Sequence, residues 1–115
     1  MTPYQWAILA GIVLLVAWTL LKRRGDTSPE EARKLVDDGA LLLDVRTEGE
    51  FSSGHLPKAK NIPLHELGAK LDKVGPKDRA VVVYCLSGTR SGAAARVLRG
   101  AGFSRVANLG SMSRW

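Results

Sequence analysis

Cys85 is the only cysteine in 115 residues, and its neighbours are of the kind that hold a negative charge. It follows the apolar run Ala80-Val81-Val82-Val83-Tyr84 and opens a short loop, Leu86-Ser87-Gly88-Thr89-Arg90. Helix formers follow at once, Ser91 to Arg99. A helix start leaves backbone N–H groups unpaired and carries partial positive charge, which favours thiolate over thiol and welcomes an anion beside it. Gly88 lets the backbone turn inward, Ser87 and Thr89 add donors, the Arg90 guanidinium can hold an anionic substrate, and Ser91 is placed to cap the helix. The competing reading is a cysteine used as a small buried hydrophobe. Its place at a strand end, before Ser-Gly-Thr-Arg-Ser, favours the reactive reading. Arg90 alone says less, because arginines at loop ends are often only solvated.

The elements that would carry this loop are short. Ser28-Pro29-Glu30-Glu31 combines a capping serine, proline at the first helical position and a glutamate three residues after the cap, so a helix is expected to run to Asp38 and stop at Gly39. Leu41-Leu42-Leu43, leading into Asp44-Val45-Arg46, is too short an apolar run for a helix and reads as a buried strand. Thr47 to Lys60 reads as irregular, and Asn61-Ile62-Pro63 as a brief extended segment. Leu64, Leu67, Leu71 and Val74 recur at helical spacing, which predicts an amphipathic helix up to Gly75-Pro76. Val81–Tyr84 and Arg105–Leu109 complete the strands. Wholly apolar strands alternating with helices predict an α/β fold, a parallel sheet covered on both faces. Ligands of such sheets bind beyond the carboxyl ends of the strands, where Cys85 stands.

Residues 4–21 form a separate region. They read YQWAILAGIVLLVAWTLL, without a charge, and as a helix span roughly 27 Å, close to a hydrocarbon core. Tyr4, Trp6 and Trp18 lie towards the ends, and Lys22-Arg23-Arg24 follows. A cleaved signal would need a basic start and a small-residue cleavage site; Met1-Thr2-Pro3 and Thr19-Leu20-Leu21 supply neither. A retained single-pass membrane anchor is therefore expected, with residues 22–27 a basic flank and linker and 28–115 the domain. The basic triplet predicts the N-terminus outside and the domain cytoplasmic, where a lone reactive thiol also survives best. Net charge is +6, but the triplet supplies half of it; the surplus of three left on residues 25–115 is too small for a nucleic-acid partner.

Three blocks carry a family resemblance: LLLDVRTEGEFSSGHLPKAKNIP (41–63), VVVYCLSGTRS (81–91) and RVANLGSMSRW (105–115). In order and spacing they resemble a single rhodanese domain, preceded here by the membrane segment, and the resemblance covers residues 28–115. It implies a rhodanese-like fold and a sulfurtransferase. Cys85 would take a sulfane sulfur from a donor such as thiosulfate, become a persulfide, and pass the sulfur to cyanide or a thiol. Leu86, Ser87, Gly88, Thr89 and Arg90 would form the cradle that binds the donor anion. Asp44 and Arg46 match the family's Asp-Val-Arg signature; ion pairs that fix the neighbouring loop are favoured over a catalytic part. Glu50 and His55 fall in the same class, His55 anchoring the bend Gly54-His55-Leu56-Pro57. Two positions depart from the pattern. Lys58 stands where glycine is usual after the proline, and Ser111 replaces the second glycine before the tryptophan.

No metal or organic cofactor is implied: the sequence holds no cluster of ligands, and His55 and His65 lack cysteine partners. The expected partners are a small sulfur-donor anion, a thiol or cyanide acceptor and the membrane, with a protein sulfur acceptor as a further candidate. Phosphatases that share the fold place arginine six positions after the nucleophile, whereas Arg90 comes five after Cys85, so phosphatase or arsenate-reductase chemistry is disfavoured. Two further readings stay open at this point: a sulfur-relay or docking module at the membrane without rapid turnover, and an inactive domain kept for binding.

Overall fold

A computed structural model describes residues 1–23 and 25–115. Helix α1 (Pro3–Arg23) comes first, then α2 (Pro29–Asp37), β1 (Leu41–Asp44), α3 (Glu48–Ser52), β2 (Lys60–Asn61), α4 (Leu64–Leu67), β3 (Val81–Cys85), α5 (Thr89–Gly100) and β4 (Val106–Ser111). Three-residue 3-10 turns lie at Leu71–Lys73 and Met112–Arg114. The four strands form one parallel sheet in the order β2-β1-β3-β4, the α/β architecture expected. A bulge between Val83 and Tyr84 shifts the β3–β4 register, so that Cys85 faces Ser111 across the ladder.

Alternating side chains of the central strands divide the core in two. Leu43, Val45, Val81, Val83 and Cys85 point to the face covered by α4 and α5, with Leu67, Val74, Ala94, Ala95, Leu98 and Phe103. Leu42, Val82 and Tyr84 point to the other, against Ala32 and Val36 of α2 and Leu109 of β4. Each fully buried Leu or Val removes enough apolar surface to contribute about 1.5–3 kcal/mol. Leu42, Leu43, Leu67, Leu98 and Leu109 are all in that state. The central strands are buried on both faces, which is why they read as unbroken apolar runs.

Three local expectations change. The helix predicted over 64–74 is two short pieces: α4 ends at Leu67 with Gly68 as its cap, and the 3-10 turn follows. Leu67 and Val74 are still fully buried and Leu64 and Leu71 pack beside them, so the apolar spacing is satisfied without a continuous helix. A glycine in the middle of a short segment removes the propagation that would repay nucleation. The stretch after Thr47 is not irregular throughout. Thr47 caps α3, its hydroxyl accepting from Glu50 N–H while the Glu50 carboxylate accepts from Thr47 N–H, a complete capping box. Finally, β4 runs to Ser111, beyond Leu109.

Residues Pro3–Leu20 have a mean hydropathy of 1.6 and none of that window is buried against the domain. The molecule measures 58 × 28 × 27 Å, and α1, roughly 31 Å long, projects from it. Lys22 and Arg23 close α1, and Arg24 of the basic triplet lies outside the described residues. Gly25–Thr27 lies along the domain: Asp26 and Thr27 N–H groups both donate to the Asn108 carbonyl, at 2.8 and 3.3 Å.

Candidate active site

Cys85 ends β3 with its side chain fully covered, and its sulfur accepts a hydrogen bond from the Gly88 N–H at 2.9 Å. Gly88 adopts φ +104°, a left-handed conformation that L side chains resist, and this tight turn brings its amide back onto the sulfur. A backbone N–H donated to sulfur stabilises negative charge there. The turn also starts α5 earlier than expected. Gly88 occupies the cap position, so Thr89 and Arg90 belong to the first helical turn and not to the loop. Ser91 consequently caps nothing; it is buried and its hydroxyl donates to the Gly88 carbonyl at 3.0 Å. Leu86, Ser87 and Thr89 are exposed around the thiol. Cys85 also packs among Leu43, Val45 and Val83, as a small hydrophobe would.

Arg90 projects towards α3. Its Nη1 and Nη2 bond the two Glu50 oxygens at 2.6 and 3.0 Å, a forked pair in which each side chain is about a third exposed, 32% and 31%. The Arg90 hydrogen bonds, and then the Thr47 N–H, hold the Glu50 carboxyl down at about 2. The same bonds raise the Arg90 pKa, with a smaller contribution from the nearby Cys85. Beside this pair a cleft of about 230 Å³ is lined by Val45, Thr47, Pro63, Leu64, His65 and Arg90. On the other side of the loop a polar cleft of about 340 Å³ lies between Gly88, Thr89 and Arg96 on one wall and Asp26 and Asn108 on the other.

Asp44 and Arg46 stand at the end of β1, one strand away. Arg46 Nε reaches both Asp44 oxygens at 3.2 and 3.0 Å, its Nη2 reaches Oδ2 at 2.8 Å, and that Nη2 also donates to the Gly54 carbonyl. The Asn61 amide donates to the carbonyls of both residues, at 3.0 and 2.9 Å. The hydrogen bond to Asp44 raises the Arg46 pKa against the pull of burial. Tyr84 lies beneath, its hydroxyl accepting from Leu56 N–H at 3.1 Å and the Arg46 guanidinium 5.9 Å from its ring centre. Burial pushes its phenol pKa up. His55 is exposed, stacked on Phe51 with centroids 3.7 Å apart, and its Nδ1 is 3.0 Å from the Phe51 carbonyl. Lys58, the first departure, is a non-glycine residue at φ +68°. That conformation explains why glycine is usual there.

Two residues matter to the thiol loop in ways the sequence reading did not find. Glu50, expected among the residues whose ion pairs fix a loop, has Arg90 as its partner, a pairing the sequence did not indicate. Ser111, the second departure from the family pattern, is buried and its hydroxyl donates to the Leu86 carbonyl at 2.7 Å, tying the loop to β4. Its only signal was a hydroxyl at the end of the last strand.

Comparison with known proteins agrees with this geometry. The Rhodanese-like domain family matches residues 28–115. A protein named Sulfurtransferase from Allochromatium vinosum is 40% identical over 86 residues, 73% of this chain and 79% of that one. Thiosulfate sulfurtransferase GlpE of Pseudomonas savastanoi pv. phaseolicola is 36% identical over 88 residues, 76% of this chain and 82% of that one. Among solved structures, the human single-domain sulfurtransferase TSTD1 superposes with a TM-score of 0.71 at 27% identity, over 79% of this chain and 94% of its own. The match takes in the sheet, both helical layers and the Cys85 loop together, and the chain belongs to the rhodanese-like domain family, as a sulfurtransferase.

Proposed function

We propose that Cys85 carries the sulfur as a persulfide between an anionic donor such as thiosulfate and a thiophilic acceptor such as cyanide or a thiol. The observation that carries this reading is the Gly88 amide donating to Sγ at 2.9 Å, at the junction of β3 and α5. In the first half-reaction the Cys85 thiolate attacks the outer sulfur of thiosulfate. The donor's S–S bond breaks, its electron pair leaves with sulfite, and Cys85–S–S⁻ remains. In the second, cyanide bonds the outer sulfur, thiocyanate leaves, and the pair of the broken S–S bond returns to Sγ. Amides at the start of α5 favour the negative charge that stays on the sulfur atoms throughout. Arg90 binds the donor anion with the Leu86–Thr89 cradle, once its guanidinium is shared with or released by Glu50.

Helix α1 holds this domain on a membrane, N-terminus outside and domain in the cytoplasm. Its length, its lack of charge and the basic residues that follow support that reading. Intact mass after thiosulfate treatment tests the carrier. A gain of about 32 Da, removed by reductant and absent in Cys85→Ala, is expected; an unchanged mass would sink the proposal. Steady-state thiocyanate release then separates catalysis from single loading. Flotation with vesicles, and protease digestion of the domain only after permeabilisation, test the anchor and its direction.

A further inference from the structure

The segment between α1 and the domain is built as a strap. Besides the two N–H donors it gives to Asn108, Asp26 receives the Asn108 N–H on Oδ1 at 2.6 Å. Its Oδ2 pairs with Arg99 Nη2 at 2.5 Å, and Arg99 in turn donates to the Val106 carbonyl. Arg114 holds the other end, bonding the Leu109 and Thr27 carbonyls. β4 is an edge strand of the sheet, and the strap covers its open side.

Gly25 makes this possible. It has φ +62°, and a Cβ built on it would collide with the Asn108 carbonyl oxygen and lie 2.6 Å from the Leu109 carbonyl carbon. Both are backbone atoms, which cannot swing aside as a side chain would, so a larger residue must lift the strap. One residue separates Gly25 from the end of α1, and the backbone of α1 comes within 8 Å of β4. Gly25 and Asp26 also wall the polar cleft whose opposite wall is Gly88 and Thr89, the turn that holds the Cys85 sulfur. Strap, cleft and thiol loop therefore adjoin one another, and the single residue between Arg23 and Gly25 leaves little chain over which the domain could move away from α1. A long tether would let the domain swing through solution, whereas a docked strap one residue from α1 keeps the β4 edge near the end of that helix.

We propose that the Gly25–Thr27 strap holds the Cys85 loop beside the bilayer, and that the physiological sulfur acceptor is a thiol carried at the membrane surface. This rests on the persulfide and membrane-anchor readings above. The acceptor sulfur bonds the outer sulfur of Cys85–S–S⁻. The Cys85 S–S bond breaks with its electron pair left on Sγ, and the acceptor's proton stays with it, so RSH becomes RSSH and Cys85 returns as thiolate. A held loop raises the effective concentration of a surface thiol at the sulfur and leaves that of a soluble thiol unchanged.

The test uses the full chain in vesicles containing a lipid with a thiol headgroup, after loading Cys85 with radiolabelled sulfane sulfur. Discharge to the lipid thiol is compared with discharge to soluble glutathione. Two variants separate the causes: Gly25→Val, which lifts the strap, and a Gly-Ser insertion of about twelve residues just before Gly25, which leaves the strap docked but frees the domain from α1. Both are expected to slow discharge to the lipid thiol roughly tenfold and leave the glutathione rate unchanged. Lipid-thiol rates equal to the parent chain in both variants would overturn the proposal with its foundations intact. Failure to load label removes the persulfide reading, and failure to float with vesicles removes the anchor; either also ends this inference, by a visibly different result.

Discussion

Arg46 meets Asp44 with both side chains almost out of water, 6% and 0% exposed, whereas Arg90 meets Glu50 with about a third of each left in solvent. The chemistry of the two pairs is the same and their surroundings are not. Around the first, the Gly54 carbonyl takes a further Arg46 donor and the Asn61 amide ties the two backbone carbonyls, so a desolvated pair is satisfied from every side. Around the second, only the Thr47 cap among the described residues shares the carboxylate, and the guanidinium borders an open cleft next to the thiol loop. Burial makes the first pair a structural element. Exposure leaves the second weak in stability, and in the function proposed above its guanidinium would exchange the carboxylate for a substrate anion.

Breaking the buried pair gives the largest expected effect. Arg46→Ala strands an uncompensated Asp44 carboxylate and should lower unfolding free energy by about 3–5 kcal/mol in urea titrations. A loss below 1 kcal/mol would erase the distinction between the pairs. Arg90→Ala should behave oppositely, losing under about 1 kcal/mol of stability while kcat/KM for thiosulfate falls roughly 10–100-fold, as for one charged hydrogen bond removed. Lys58→Gly, in the bend that Arg46 steadies through Gly54, relieves a left-handed residue worth ~1–2 kcal/mol and loses part of that to chain entropy. A net gain of up to about 1 kcal/mol is expected by thermal denaturation.

The smallest stability effect belongs to Glu50→Gln, and its pH dependence identifies it. The Glu50 carboxyl is at about 2 in the folded chain, below its usual 4.5, so its contribution is complete above pH 4.5 and disappears as pH falls towards 2. The variant should therefore be slightly less stable than the parent near neutrality and indistinguishable from it near pH 2. At neutral pH it should also lower KM for thiosulfate, since Arg90 no longer faces a competing carboxylate; an unchanged KM would show that Arg90 does not contact the donor.

Much of this was legible beforehand, for reasons that differ by element. β1 and β3 were readable because strands buried on both faces are almost wholly apolar, Asp44 at the end of β1 being admitted by its pairing with Arg46. α2 was readable because its cap and its proline are adjacent and its terminal glycine follows one short helix later, all within a dozen residues of chain. α3 carried an equally local signal in Thr47 and Glu50, obscured by Gly49 and Gly54. The predicted helix over 64–74 went the other way: its apolar spacing was real, but packing satisfied it with two turns. The early start of α5 depended on the left-handed conformation of Gly88, which glycine permits and does not require.

Read alone, the chain determined a thiol at a strand end, the strands around it and an apolar helix ahead of them, because each is written in neighbouring residues or a short period. Only the tertiary structure decided that Arg90 faces Glu50 forty residues away, that Ser111 ties down Leu86 across twenty-five, and that Asn108 receives the strap across eighty-two. A hydrogen bond depends on where two groups stand in space, and distance along the chain carries no record of that until the sheet has brought them together.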